Sequence, residues 1–339
     1  MNSPSAPAIG VTLVTVTYGE RLHLLRQALA SGFAEGVDRA IVVNNGARAP
    51  IAEHCRASFG ARVRVVEHAR NLGSAPGFRA GIQAARVDGA EFILLLDDDN
   101  RLEPGCVRTL LDAWRTASSP SPLRPVAVVG FRPHNQIDIS AGRRRESLHP
   151  NAFFGFHLKH LPRKAWERVR RWLPVRPARP VVGVGVLDVA PYSGMLFHAS
   201  LIDAIGLPDP SFVLYADDTE FSYRITRIGG LLLVVTAGRV SDIEPSWNIK
   251  RGQGSALSAW LDGGSDLSVF YAARNRACFE RHDVVHRHWV RSINRFVFLT
   301  AMRLLATRTD TAARYRLFRA AVADGEALRL GVKHGFELA

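Results

Sequence analysis

The sequence predicts an α/β fold with a mostly parallel central sheet flanked by helices. Three observations predict it. Residues 9–16, IGVTLVTV, form a continuous β-branched run suited to a strand buried on both faces. Residues 21–31 then switch to helical spacing, with Leu22, Leu25 and Leu29 in register. The alternation continues, with apolar strands at 40–43, 63–66 and 91–96 and helices at 76–85 and 104–114. Such alternation argues for βαβ units, and in such sheets ligands sit beyond the carboxyl ends of the strands. Thr17-Tyr18, Asn44-Asn45 and the triplet Asp97-Asp98-Asp99 all fall at such ends.

Beyond residue 115 the pattern loosens. Pro and Ser cluster at 118–125, an Arg run follows at 143–145, and strand character resumes at 181–189. Residues 195–207 read as a helix. The acidic stretch Asp217-Asp218-Thr219-Glu220 opens a helix over 220–228 that stops at Gly229-Gly230, and 231–235 reads as a strand. After about residue 280 the chain is helical and basic.

Composition narrows the class. Of 339 residues, 47% are hydrophobic and 22% charged, which supplies a core and excludes a wholly disordered chain. The three cysteines, Cys55, Cys106 and Cys278, form no CxxC, so a reduced, cytoplasmic setting is expected. No apolar run reaches the roughly 18 residues that span a bilayer. The start, MNSPSAPAIG, lacks a basic region and an apolar stretch, so no signal peptide is expected. The net charge of +13 predicts anionic partners. Segment 157–180 carries eight Lys/Arg against one acid, and 276–319 carries ten Arg against three acids, so the basicity belongs to two surfaces. Arg interleaved with Trp166 and Trp172 reads either as a solvated basic face or as a surface suited to anionic headgroups, which would put a cytoplasmic protein on the inner face of the plasma membrane.

Three adjacent carboxylates at a strand end raise one another's pKa unless a cation neutralises them. Magnesium uses one or two carboxylates plus phosphate oxygens, so the triplet reads as a Mg²⁺ or Mn²⁺ site or as a solvated acidic loop. If strand geometry continues, Asp97 and Asp99 share a side and Asp98 faces the other way. Asn71-Leu72-Gly73 is followed by Gly77 and Gly81 four apart. The two later glycines suit close helix–sheet packing, while Asn71 and Gly73 are expected near a ligand. Asp217-Asp218 reads either as charges favoured by a helix N-terminus or as a general base with a neighbour that holds an acceptor. Arg224 can pair with Glu220 one helical turn on.

Taken in order, VTVTYGER, IVVNNGA, NLGSAPGFRAG, ILLLDDDN and the stretch from GMLFHASL to ADDTEFSYRITRIGG resemble the inverting GT-A glycosyltransferases of family 2. The triplet, ADDTEF and the later YAARNR (271–276) are most similar to the galactofuranosyl- and rhamnosyltransferase branch. The resemblance covers about residues 9–280. It implies a GT-A catalytic domain over 9–275, with 143–180 as a basic insertion on the acceptor or membrane side. It leaves 1–8 as a disordered N-terminus and 276–339 as a basic helical C-terminal region. Residue by residue, it implies Thr17 and Tyr18 in a nucleobase pocket and Asn44 or Asn45 at the nucleoside. It puts Asp97 and Asp99 on metal and diphosphate, and Asp98 on ribose or sugar. Asp218 becomes the base, with Asp217, Glu220 and Trp247 on the acceptor side. Asp242 stands where that branch carries a metal-binding His. The implied reaction moves a hexose from a nucleotide diphosphate sugar to a glycan or polyprenyl-linked acceptor, with inversion. A nucleotidyltransferase would also use carboxylates and metal. A nucleic-acid-binding protein fits the basic patches but not two acidic clusters at strand rims, since carboxylates repel phosphate.

Overall fold

A computed structural model describes residues 10–121, 123–133, 148–162, 166, 183–244 and 256–338. The N-terminal segment 1–8, most of the basic stretch 143–180, and Trp247 lie outside the described residues.

The strands are β1 (Val11–Thr17), β2 (Arg39–Asn45), β3 (Val63–His68), β4 (Phe92–Leu95), β5 (Asn100–Leu102), β6 (Val126–Phe131), β7 (Val184–Val186), β8 (Met195–His198) and β9 (Leu231–Asp242). Their order is β3-β2-β1-β4-β8-β6-β9-β5, with β7 also on β9. β1 to β4 pair in parallel, and β8 runs antiparallel between β4 and β6. β9 returns parallel to β6. Six strands, β1 to β4, β6 and β9, therefore deliver their carboxyl ends to one rim.

Helices α1 (Leu22–Ala34), α2 (Ile51–Phe59), α3 (Ser74–Val87), α4 (Cys106–Ser118), α5 (Leu201–Ile205) and α6 (Asp217–Arg227) flank the sheet. One apolar layer joins β1, β2 and β4 to α3, α5 and α6 through Val14, Val43, Phe78, Ile82 and Phe221. The opposite layer uses Leu13, Val42 and Leu94 against Leu25, Leu29 and Leu110 of α1 and α4. The three cysteines are free and buried.

The helix expected over 195–207 is instead β8 followed by the short α5. Met195, Leu196 and Phe197 are all fully buried. A continuous apolar run of this length has no periodicity to separate a buried strand from a buried helix.

The C-terminal part comprises α7 (Ala256–Asp262), α8 (Asp266–Phe279), α9 (His288–Leu305) and α10 (Thr309–Glu326). The boundary expected at 275/276 falls inside α8. These helices form their own apolar core, in which Phe270, Phe298, Met302 and Phe318 enclose Phe153 and Phe154. Val213 belongs to that core, so the helical part grips the loop before α6.

Glycines set two close approaches. Gly77 and Gly81 press α3 onto β1, where an added Cβ would come within 2.7 Å of Val16 and 2.4 Å of Val14. Gly73 has φ +97°, and an added Cβ would lie 2.1 Å from the Val213 carbonyl oxygen, which accepts a bond from Ala75 N–H. Backbone cannot yield as a side-chain tip can. Gly73→Ala should therefore cost at least about 2 kcal/mol in urea unfolding, from the clash and the positive φ together. A loss below about 0.5 kcal/mol would show that the loop adapts freely.

Candidate active site

The rim gathers two acidic clusters, and each divides its carboxylates in the same way. One member is buried and anchored, and its neighbour keeps accessible surface. At the end of β4 the chain turns, so the strand alternation expected for the triplet is lost. Asp98 is buried and accepts from Thr17 Oγ1 at 2.8 Å. It is also clamped by Arg21, whose Nε lies 2.9 Å and Nη2 2.8 Å from Oδ1. The same Nη2 reaches Asp99 Oδ2 at 2.9 Å. Asp98 and Asp99 thus share one arginine, while the partly buried Asp97 takes no side-chain hydrogen bond or ion pair among the described residues. Burial pushes Asp97 up to about 7, reinforced by Asp99 and Asp218 and opposed by Arg132. Asp98 rises only to about 6, because Arg21 and Thr17 hold its charged form.

At the N-terminus of α6, Asp217 is buried and accepts from Ser74 Oγ at 2.9 Å. Asp218 is partly exposed. Its Oδ1 takes Thr219 N–H at 2.6 Å and Thr219 Oγ1 at 3.2 Å, which leaves Oδ2 for the crevice. Burial pushes both carboxyls above the ordinary range, and Asp217 rises further because Asp218 lies beside it. Asp97 adds to the rise at Asp217. The triplet and the pair therefore converge in space around Asp97 and Asp218. Arg132, just past β6, is the cation they share, since it lowers both.

The backbone that presents the pair is strained. Val213, Tyr215 and Ala216 all have positive φ, at 64°, 68° and 59°. Such conformations persist only where surroundings over-determine them. Asn275 of α8 does this by donating Nδ2 to the carbonyls of Phe212, Leu214 and Tyr215 at 2.6, 2.8 and 2.9 Å. Arg274 beside it is 1% exposed and reaches the Phe212 carbonyl at 3.3 Å.

Several residues expected at a ligand have internal partners. Thr17 is fully buried with its hydroxyl committed to Asp98. Asn45 spends its whole capacity: Nδ2 donates to Asn71 Oδ1 and Gly73 O at 3.0 Å each, and Oδ1 meets Leu72 N–H at 3.0 Å and His68 Nδ1 at 3.1 Å. Asn44 bonds Glu67 at 2.6 Å and Ala47 N–H at 2.8 Å. Asn71 and Gly73 buttress the 213–216 loop and put Ser74 on Asp217. Glu220 is buried and bidentate to Arg224, which also ties the carbonyls of Ile205 and Leu207 at the end of α5. Tyr18 remains open, 43% exposed, with the Arg21 guanidinium 5.1 Å from its ring centre.

The metal expectation divides. Among the described residues no group of three or more His, Cys, Asp or Glu is gathered to hold an ion. Asp242 pairs with Arg132 and accepts Asn100 Nδ2 at 2.9 Å. Asp97 fits: it is a hard oxygen donor that forms no ion pair among the described residues and feels Arg132 only as a nearby charge, and it is suited to an ion completed by phosphate oxygens. Arg21, Arg132, Ser74 and Asn275 escaped the sequence reading. Arg21, Ser74 and Asn275 lie inside the motifs VTVTYGER, NLGSAPGFRAG and YAARNR, whereas Arg132 lies in none of them.

The buried Asp217 generates a pH prediction. Its folded pKa is raised, so the folded state holds a proton that the unfolded chain releases. Stability is then full at acidic pH and falls as pH rises toward the folded value. Asp217→Asn keeps an acceptor for Ser74 and removes that loss. Its melting temperature, relative to the parent, should climb steadily from mildly acidic to mildly alkaline buffer. A pH-independent difference would mean that Asp217 ionises normally.

Residues 12–166 match the family model Glycosyl transferase family 2. Over 161 residues the chain is 27% identical to galactofuranosyltransferase GlfT1 of Mycobacterium tuberculosis (strain ATCC 25618 / H37Rv), covering 47% of this chain and 45% of that protein. Over 165 residues it is 27% identical to GlfT1 of Mycolicibacterium smegmatis (strain ATCC 700084 / mc(2)155), covering 47% and 46%. The chain spans about half the length of these curated relatives. The crystal structure of GalNAc-T7 with UDP, GalNAc and Mn²⁺ superposes with a TM-score of 0.50 over 90% of this chain and 59% of that chain, at 16% identity, a likeness of fold alone. With the strand order and the shared rim, these matches give the chain the fold of GT-A glycosyltransferases, and residues 12–166 are similar to the glycosyl transferase family 2 domain.

Proposed function

We propose that the protein is an inverting glycosyltransferase that moves a hexose from a nucleotide diphosphate sugar to an acceptor hydroxyl. The observation that carries this is the pairing of two accessible carboxylates, Asp97 and Asp218, each beside a buried and anchored partner, across one crevice. A purely structural acidic patch needs no such division. The relatives' names favour galactofuranose as the sugar, and a glycan or polyprenyl-linked glycan as the acceptor suits a cell-surface polysaccharide.

In this reading Asp218 is the general base. Oδ1 is fixed by Thr219, so Oδ2 is held at one orientation toward the acceptor hydroxyl. Its raised pKa brings it closer to neutral pH, where a base is most effective. The acceptor oxygen attacks the anomeric carbon as Asp218 takes its proton. The bond from that carbon to the diphosphate oxygen breaks, and the electron pair leaves with the nucleoside diphosphate. One displacement inverts the configuration. Asp97, with Asp99 beside it, is where Mg²⁺ or Mn²⁺ would be held, and such an ion supplies charge stabilisation of the departing diphosphate. Tyr18, open and flanked by Arg21, offers an aromatic face for the base. Asp217 holds the turn from which Asp218 projects.

The test is Asp218→Asn, assayed for donor turnover and for binding of UDP-galactofuranose by thermal shift with Mn²⁺. Turnover should fall by about 10²–10⁴-fold while the shift is retained. Retained turnover would remove Asp218 from the base role, and loss of the shift alone would make it a donor ligand.

A further inference from the structure

Helix α9 is apolar on two opposite sides. One side buries Phe298, Leu299 and Met302 in the C-terminal core, where the Phe298 ring meets Phe153 at 5.2 Å. The other side holds Trp289, Ile293, Phe296 and Leu304 in solvent, at 66%, 45%, 70% and 72% exposure. At about 100° per residue these four lie within an arc of about 80°. The outward face of a helix on a globular protein ordinarily carries charged and polar groups, so this stripe is out of place in water.

The charge around it is one-sided. Residues 284–309 contain no Asp or Glu but include Arg287, Arg291, Arg295, Arg303 and Arg308. Arg291 and Arg295 are spent on Glu326. The other three form no ion pair among the described residues. A second copy of this chain would bring like charges together across the stripe, whereas an anionic surface would neutralise them. No helix among the described residues is long and apolar enough to cross a membrane.

We propose that α9 is an interfacial helix that lays its Trp289–Ile293–Phe296–Leu304 face into an anionic lipid surface, with Arg287, Arg303 and Arg308 at headgroup level. Trp and Phe supply the insertion, and the arginines supply the preference for negative lipid. The proposal is independent of the transfer reaction.

The full chain should sediment with phosphatidylcholine–phosphatidylglycerol vesicles, more weakly with phosphatidylcholine alone, and less as salt is raised. Trp289→Ser with Phe296→Ser should lower the partition coefficient by about tenfold or more, with the melting temperature unchanged, because neither ring supports the core. Arg287→Gln with Arg303→Gln should erase the difference between the two vesicle types. Failure of the parent to bind, or binding unchanged in the Trp/Phe variant, would overturn the proposal. So would a dimer in sedimentation equilibrium that the Trp/Phe variant abolishes, since the stripe would then be a self-contact.

Discussion

Five carboxylates brought to one partly buried crevice repel one another, and each must meet a cation, a hydrogen-bond donor or a proton. That constraint organises the rim. Arg21 takes Asp98 and Asp99 together, Thr17 fills a further acceptor position on Asp98, Ser74 takes Asp217, and Arg132 stands between the clusters on Asp242. Removing one member of such a set leaves a buried charge uncompensated, which costs more than the pair contributes when intact. Asp97 and Asp218 are left with charge that the protein only partly answers. The substrate and its counter-ion are what would complete the balance.

The second constraint is geometric. Asp217 and Asp218 follow directly on residues 213–216, whose path L-residues seldom take, and three positive φ values in four residues store strain. Two independent supports hold that path. From the sheet side, Gly73 lets backbone lie against backbone at Val213. From the helical side, one Asn275 amide spans three carbonyls. The C-terminal helices are thus part of how the acid pair is presented, and the expected boundary at 275/276 would have cut through the support itself.

The fold was legible where the signal was local. Each N-terminal strand and helix carries its own apolar period, and the rim follows once the strands are parallel. β8 was not legible, because Met195–His198 becomes a strand only through β4 and β6, far off in sequence. The acidic clusters were legible as clusters, since adjacent carboxylates at element ends are rare enough to notice. Their internal division was not. Whether Asp98 or Asp97 faces the crevice depends on Arg21, 77 residues from Asp98, and nothing near Arg21 marks it as a clamp.

Asn45 shows why residue type alone misleads at such a rim. An amide at a strand end looks available to a nucleoside, and Asn can make four hydrogen bonds. All four are consumed by His68, Asn71, Leu72 and Gly73, which lie 23 to 28 residues away. Its work is to fix the loop whose Gly73 meets Val213 and whose Ser74 meets Asp217. An aspartate there would lose both donors and set a new negative charge beside the Gly73 carbonyl and Asn71 Oδ1. Asn45 therefore belongs to the support of the acid pair.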